Sequence, residues 1–225
     1  MGRTKIWLSW SSGKDSAWAL HELRASPDFE VTRLLTTINR AASRVAMHAV
    51  REELLEAQAA AAGLPLVKVP IPSPCSNAEY EQAMGAAMAQ ARAEGILHVA
   101  FGDLFLEDVR RYREEKLLAV GMTPIFPLWG RETHRLAREM IAGGLRAYLT
   151  CVDPRQIDRH FAGRSFDASL LDELPASVDP CGEKGEFHSF AFAGPMFAVP
   201  LAVAPGEIVE RDGFVFADLL PAANS

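Results

Sequence analysis

A short apolar segment, a turn of small residues and a helical pattern follow one another near the start of this chain. Residues 6–10 are apolar, residues 11–16 read SSGKDS, and residues 17–23 have a helical composition. A buried strand that turns directly into a helix leaves the first N–H groups of that helix without intrahelical partners. These groups and the helix dipole favour an anion at that position. The pattern therefore predicts an α/β fold with a phosphate-binding loop after its first strand.

The residues of this loop suit phosphate binding in different ways. Gly13 lets the backbone approach a phosphate closely, and Lys14 supplies a positive charge. Ser12 and Ser16 supply hydroxyl donors, and Asp15 is a candidate N-cap of the following helix. A Gly/Ser turn that binds no ligand is the alternative interpretation. The preceding strand and the following helix favour the phosphate loop.

The composition limits the classes of protein to which the chain can belong. Its 225 residues are 49% hydrophobic and 23% charged, which is typical of a soluble globular protein with a sizeable core. The formal net charge of −6 argues against a surface that wraps nucleic acid, because such binding depends on Lys and Arg. The densest basic group is Arg110, Arg111 and Arg113, which reads as an anion-binding rim or as a solvated helix face with the neighbouring glutamates.

The cysteines and the N-terminal residues predict the compartment. Cys75, Cys151 and Cys181 are widely spaced and form no Cys-x-x-Cys pair, as expected of reduced thiols. Lys14 and Asp15 interrupt the first apolar run, so it does not read as a signal peptide. No stretch of the sequence has the length of a membrane helix. We therefore expect a cytoplasmic protein with no membrane partner.

Strand and helix patterns alternate through the first half of the chain. The predicted strands are 6–10, 31–38, 66–69, 96–101 and 123–126, and the predicted helices are 17–23, 49–62, 78–94 and 107–120, with Asn77 as the N-cap of the third. This alternation predicts a doubly wound parallel sheet of about five strands, Rossmann-like, with helices on both faces. Ligands of such sheets bind beyond the carboxyl ends of the strands, so the loops 11–16, 37–40, 70–76 and 102–107 should converge on one crevice.

The pattern changes after residue 127. A helix is predicted over 131–142, a strand over 145–152, a short helix over 170–174, and a hairpin at Asp212-Gly213. We therefore divide the chain into a first domain, residues 1–130, and a smaller α+β domain, residues 131–225, which would bind the substrate.

The densest group of reactive side chains in the second half is PCGEKGEFHS, residues 180–189. Glu183 and Glu186 could bind Mg²⁺ or a cationic group of a substrate, and His188 could transfer a proton near neutral pH. The alternative is a polar turn before a strand, whose glutamates only face water.

The loop at 11–16 is not a Walker A motif, because Leu8 stands where that motif has its first Gly and Asp15 follows the lysine. It resembles instead the PP-loop of ATP pyrophosphatases, SGGKDS, with Ser12 in place of the first Gly. Enzymes of that superfamily, whose fold is of the HUP type, cleave ATP between the α and β phosphates. The resemblance implies that AMP is transferred to the substrate and that pyrophosphate is released.

The chain as a whole resembles the diphthine–ammonia ligase family, a branch of these pyrophosphatases. The matching segments occur in order along nearly the whole chain: 11–16, the region of His48, 102–105 (GDLF), 110–129, 139–153, 180–190 and 194–197. The resemblance implies that ATP adenylates a carboxylate and that ammonia then forms an amide. In the family's named member the carboxylate belongs to diphthine, a modified histidine on elongation factor 2.

The resemblance also implies roles for individual residues. Lys14 would contact the β and γ phosphates, with Ser11, Ser12, Gly13 and Ser16 around them. Thr37 and Ile38 would hold adenine through main-chain groups, and Gly102 and Asp103 would belong to the nucleotide site. Asp15 would hold the loop or the Mg²⁺ that accompanies ATP. The catalytic set would be Lys14, Asp15, Ser16, Glu183, Glu186 and His188.

Several of these residues have simpler interpretations. Asp15 and Asp103 could each cap a helix, and His48 could be structural. Trp7, Trp10 and Trp18 are expected in the core rather than as stacking surfaces.

Other functions remain compatible with the residues. The chain could be another PP-loop enzyme, such as a tRNA-modifying one, or an adenine-nucleotide-binding module without turnover. It contains no glutaminase segment of its own, so the nitrogen would come from free ammonia or a separate donor. The sequence leaves a homodimer open.

Overall fold

The first half of the chain forms a parallel sheet. The computed structural model describes residues 2–39, 44–45 and 50–222. The strands are β1 (Thr4–Ser9), β2 (Phe29–Asn39), β3 (Arg44–Val45), β4 (Leu66–Ile71), β5 (His98–Ala100) and β6 (Thr123–Ile125). Five of them lie parallel in the order β4-β2-β1-β5-β6, and the short β3 pairs antiparallel with the end of β2. The predicted doubly wound sheet is confirmed.

This strand order fixes the position of a ligand site. From β1 the chain moves outward through β2 to β4, then returns to the other side of β1 for β5 and β6. The carboxyl ends of β1 and β5 therefore border the crevice where the direction of winding reverses. The loop at 11–16 leaves β1 at that point, and Gly102 and Asp103 follow β5 closely.

Within the described residues of the first half, four helices cover the sheet: α1 (Lys14–Ala25), α2 (Glu52–Ala62), α3 (Asn77–Ala93) and α4 (Glu107–Leu118). The predicted cap of α3 is wrong by one residue. The hydroxyl of Ser76 accepts the N–H of Glu79, and the Glu79 carboxylate accepts the N–H of Ser76 at 2.9 Å. This capping box satisfies two helix-end donors at once, so Ser76 rather than Asn77 is the N-cap. His48 lies outside the described residues.

The second half forms an antiparallel sheet. Its elements are α5 (Thr133–Ala142), β7 (Arg146–Val152), a 3-10 helix (Arg159–Phe161), α6 (Ala168–Glu173), β8 (Phe187–Ala193), β9 (Val203–Arg211) and β10 (Phe214–Pro221). The strands lie in the order β8-β7-β10-β9. Asp212 and Gly213 join β9 to β10 with φ angles of 54° and 80°, which is the left-handed geometry expected of a two-residue hairpin turn. The boundary between residues 130 and 131 stays a prediction.

The two halves share one hydrophobic core. The larger buried cluster contains Trp10 and Trp18 from the first half together with Phe187 and Phe190 from the second. A smaller cluster around Trp7 lies on the face of the first sheet that α3 and α4 cover. All three predicted core tryptophans are at most 3% exposed. Because the shared core is continuous, the packing holds β8 directly against the loop that follows β1.

Candidate active site

The predicted phosphate loop, residues 11–16, is strained at Ser12 and is held by internal hydrogen bonds. Ser12 adopts a φ angle of +69°, which is uncommon for a residue other than Gly. The Ser16 hydroxyl donates to the Gly13 carbonyl at 3.0 Å and lies 3.2 Å from the Ser11 hydroxyl. The Gly13 N–H donates to Ser11 Oγ at 3.3 Å. These contacts fix the backbone at the start of α1, where N–H groups without intrahelical partners favour an anion.

Asp15 does not cap α1, so that interpretation is wrong. The N-cap position is Gly13, with no side-chain hydrogen bond, and Asp15 lies within the first turn. Its Oδ2 accepts a hydrogen bond from Lys14 Nζ at 2.8 Å, while its Oδ1 is buried without a hydrogen-bond partner among the described residues. The carboxylate is therefore turned toward the cleft and the lysine rather than toward the helix end.

Lys14 is the buried charge of the site. The residue is 2% exposed, and its Nζ also donates to the carbonyl of Cys181 in the second half. The rings of Phe166 and Phe187 lie 5.5 and 5.3 Å from Nζ. Burial opposes the positive charge, but Asp15, Cys181 and Glu183 together outweigh this effect, and the pKa of Lys14 is raised. An ammonium group therefore stands between the two halves of the molecule.

The residues after β5 form the opposite wall of the loop. A Cβ atom on Gly102 would lie 2.9 Å from the Asp15 carbonyl carbon and the Ser16 nitrogen, so only Gly permits this approach. Asp103 accepts hydrogen bonds from Arg113 Nε at 2.5 Å and Nη2 at 3.0 Å. The cap of α4 is Leu106, so Asp103 is not a helix cap.

Two basic residues of α4 have different surroundings, and the predicted anion-binding rim stays a prediction. Arg113 lines the cleft through its pair with Asp103. Arg110 instead pairs with Glu114 at 2.7 Å, as expected of a solvated helix face.

The turn before β8 is held together by buried carboxylates. Glu186 is 2% exposed, and its two oxygens accept the N–H groups of Asp179 and Lys184, both at 2.9 Å. Asp179 in turn accepts the N–H groups of Cys181 at 2.9 Å and Glu183 at 3.3 Å. The Glu186 carboxylate thus organises the turn, and its predicted part in catalysis stays a prediction.

Glu183 and His188 face the cleft with strongly shifted pKa values. Glu183 Oε1 accepts the Leu104 N–H at 2.8 Å, which joins this turn to the loop after β5. Burial raises the pKa of Glu183 to about 7, against the opposing effect of that N–H. Burial, and second the charge of Lys14, lower the pKa of His188 to about 4. Shifted carboxyl and imidazole groups that face one cleft are typical of catalytic sites.

These elements enclose one cleft of about 260 Å³ between the two sheets. Its lining includes Ser11, Lys14, Asp15, Ser16, Gly102, Asp103, Glu183 and His188. The structure thus brings the phosphate loop, the end of β5 and the turn before β8 together. Thr37 and Ile38 lie at the carboxyl end of β2 and are not part of this lining. Ser12 and Gly13, in the loop, are also not part of it. Among the loops expected to converge, 37–40 and 70–76 contribute no described residue to this lining.

Sequence reasoning missed residues that support the site from behind. Ser189 Oγ accepts the N–H of Lys14 at 3.2 Å, and Asp179 holds the turn. Gln58 is completely buried in α2, although glutamine is usually exposed. The spacing gave a signal for it: Gln58 follows Leu54 by four residues and Leu55 by three, so it falls on the apolar face of that helix.

Comparison with known proteins agrees with this two-part arrangement. The family model described as the diphthamide synthase N-terminal domain matches residues 4–124, and the one described as the diphthamide synthase C-terminal domain matches residues 132–217. The chain belongs to the diphthamide synthase family. Relatives named diphthine–ammonia ligase include proteins from Homo sapiens, 29% identical over 153 residues, and Bos taurus, 28% identical over 158 residues. The relative of that name from Danio rerio is 32% identical over 118 residues.

The match covers only part of these relatives. It includes 64% of this chain and 55% of the human protein, 66% and 57% for the bovine protein, and 50% and 46% for the zebrafish protein. The chain thus spans about half the length of the curated relatives it matches. In the part of this family member that the structure describes, no helix is both long and apolar enough to cross a membrane.

Proposed function

We propose that the protein is an ATP-dependent ligase that adenylates a carboxylate, releases pyrophosphate and forms an amide with ammonia. One observation carries the proposal: the phosphate loop and the carboxylate-bearing turn of residues 179–188 face each other across one cleft, with Lys14 in contact with both. Membership of the diphthamide synthase family supports it, as do the relatives named diphthine–ammonia ligase.

In the first step, an oxygen of the substrate carboxylate attacks the α-phosphorus of ATP. The bond between the α-phosphorus and the bridging oxygen breaks, and pyrophosphate leaves with that oxygen. Negative charge grows on pyrophosphate, next to the first turn of α1. The Lys14 ammonium and the N–H groups of this turn stabilise that charge more in the transition state than in bound ATP.

In the second step, the nitrogen of ammonia attacks the acyl carbon of the adenylate, and AMP leaves. The new amide nitrogen must lose a proton. Glu183 suits the acceptor role, because its carboxyl lines the cleft and its pKa near 7 lets it take and release a proton at neutral pH. His188 is neutral at that pH, because its pKa is lowered to about 4, and it can accept a hydrogen bond through its unprotonated nitrogen.

The site also fits Mg²⁺ held together with phosphates. The described residues contain no group of three or more His, Cys, Asp or Glu side chains arranged around an ion. Asp15 Oδ1 is a buried carboxylate oxygen without a hydrogen-bond partner among them, which suits a hard cation. Mg²⁺ is commonly bound by one or two carboxylates plus substrate phosphates, so Asp15 would hold it and the ion would neutralise phosphate charge.

We propose diphthine, which the family resemblance places on elongation factor 2, as the first carboxylate to test, because the relatives are named diphthine–ammonia ligase. The reaction would then take place in the cytoplasm, with free ammonia or a separate donor as the nitrogen source. A second series of small carboxylates tests adenylation independently of this substrate.

The experiment measures pyrophosphate and AMP release with ATP, ammonium and each carboxylate. Lys14→Ala should reduce turnover at least about a hundredfold, the usual effect of losing one charge-stabilising group. Lys68→Ala is the matched control, because Lys68 pairs with Glu52 and Glu56 outside the cleft. Release of ADP and phosphate without AMP would contradict the proposal, and so would near-wild-type turnover in Lys14→Ala.

A further inference from the structure

The side chain of Gln58, in α2, forms hydrogen bonds with the phosphate loop, with Trp10 just before the loop and with β8. Its Oε1 accepts the indole N–H of Trp10 at 2.9 Å, just before the loop. Its Nε2 donates to the carbonyl of Ser12 at 2.9 Å and to the carbonyl of Ala191 at 2.6 Å. One buried amide therefore joins α2, the phosphate loop and β8, and three of its hydrogen-bonding positions are occupied.

The Ser12 carbonyl is the central point of this network. It accepts the Gln58 amide and also the backbone N–H of Ala191 at 3.0 Å. Ser12 has a φ angle of +69°, a left-handed conformation that costs free energy for any residue with a Cβ. Residues persist in such conformations only where the surrounding structure holds them. Here the two donors hold the peptide that joins Ser12 to Gly13, immediately before the first turn of α1.

We propose that Gln58 is a positioning residue, which keeps the phosphate loop in its binding conformation by holding the Ser12 carbonyl. It does not touch the cleft itself, since it is absent from the described lining. Loss of its amide would let Ser12 relax toward a negative φ angle, and the N–H groups at the start of α1 would no longer point at a bound phosphate. The proposal rests on the proposed function only in that the loop binds the phosphates of ATP.

The first test measures the Kd of ATP by isothermal titration calorimetry for the full chain and for Gln58→Met. Methionine has nearly the same length and volume but cannot donate to Ser12 or Ala191. We expect the Kd to rise about tenfold or more, the order of effect that a strained loop conformation can contribute. A Kd within twofold of the wild-type value would overturn the proposal.

Arg24→Met is the matched control. Arg24 also joins the two halves, because it donates to the carbonyl of Met196 at 2.7 Å and to the carbonyl of Ala62. It lies ten residues along α1 from Lys14, roughly 15 Å at 1.5 Å per residue. This variant should lower the unfolding temperature and leave the Kd of ATP unchanged. An equal loss of affinity in both variants would mean that general loosening of the core explains the effect, which would overturn the proposal.

A double variant separates positioning from packing. In Gln58→Met combined with Ser12→Gly, the residue at position 12 reaches a positive φ angle at little cost, so the loop no longer needs the amide. We expect the Kd of ATP to return to within about threefold of the wild-type value. A role of Gln58 in packing alone would not be rescued by a change at Ser12, so a Kd as weak as in Gln58→Met would overturn the proposal.

A substitute variant and the pyrophosphate assay keep this proposal distinguishable from the proposed function. If Gln58→Met does not fold, Gln58→Leu replaces it, because this apolar variant also loses the amide donors. If the wild-type chain binds ATP but releases no pyrophosphate, the proposed function fails and the role of Gln58 is still measured. If the wild-type chain binds no ATP, both proposals fail.

Discussion

Substitution of Gly102 tests whether the end of β5 sets the position of the phosphate loop. An added Cβ would lie 2.9 Å from the Asp15 carbonyl carbon and the Ser16 nitrogen and 3.0 Å from the Asp15 oxygen. Ordinary contact begins near 3.4 Å, so these atoms must separate by 3.4 − 2.9 = 0.5 Å. All three are backbone atoms of the first turn of α1, so no side-chain rotation can relieve the contact.

Gly102→Ala should therefore destabilise the fold and displace the loop. Overpacking of this kind costs about 1–3 kcal/mol of unfolding free energy. A displacement of ~1 Å at an active site can cost ~100-fold in rate, so about half that distance should reduce pyrophosphate release by about tenfold. Urea denaturation measures the first quantity and the pyrophosphate assay the second.

Gly85→Ala is the matched control for this substitution. Gly85 lies in the interior of α3, and a Cβ there would meet no atom within 4 Å. Alanine is the better helix former, so this variant should gain about 0.5–1 kcal/mol and keep wild-type turnover. If Gly102→Ala matches the wild type in stability and turnover, the close approach of β5 to the loop does not constrain the site.

The other predictions concern the pH dependence of stability. Because burial raises the pKa of Glu183 from 4.5 to about 7, the folded chain binds a proton that the unfolded chain lacks, so this group's contribution to stability falls as the pH rises through that window. In urea denaturation between pH 5 and 7, the unfolding free energy of Glu183→Gln should not show this fall. A pH slope equal to that of the wild type would mean that Glu183 does not cause the fall. His188 has the opposite sign: its pKa falls from 6.5 to about 4, so its contribution to stability is lost as the pH falls through this range, by on the order of 3 kcal/mol. His188→Gln should lose less stability than the wild type as the pH falls through this range. If it loses as much, groups other than His188 cause the loss.

Local pattern was sufficient to predict much of the fold. The apolar run before residue 11 and the helical composition after residue 16 predicted β1, the loop and α1, because strand, turn and helix preferences act over a few residues. The same alternation predicted the five parallel strands. The cap of α3 was misplaced by one residue, because Ser76 and Asn77 are both good caps and only the Glu79 contact distinguishes them.

The supporting contacts of the site depend on residues far apart in the chain. Lys14 and Cys181 are separated by 167 positions, and Gln58 and Ala191 by 133. No local preference encodes such pairs. For the same reason the sequence showed that Glu183 and Glu186 are close together, but not that one faces the cleft while the other is bound to its own turn. The two carboxylates differ because packing buries Glu186 within its own turn and leaves Glu183 at the cleft.

The sequence by itself determined that a turn of small residues joins a buried strand to a helix, because the apolar run before SSGKDS and the helical pattern after it suffice to specify that order. It also predicted that this turn binds phosphate. Only the tertiary structure decided how that loop is held and what it faces. Ser12 keeps its left-handed conformation because Gln58 and Ala191 bind its carbonyl, and Lys14 keeps its buried charge beside Asp15 and the carbonyl of Cys181. These partners come together only when the two sheets pack into one core.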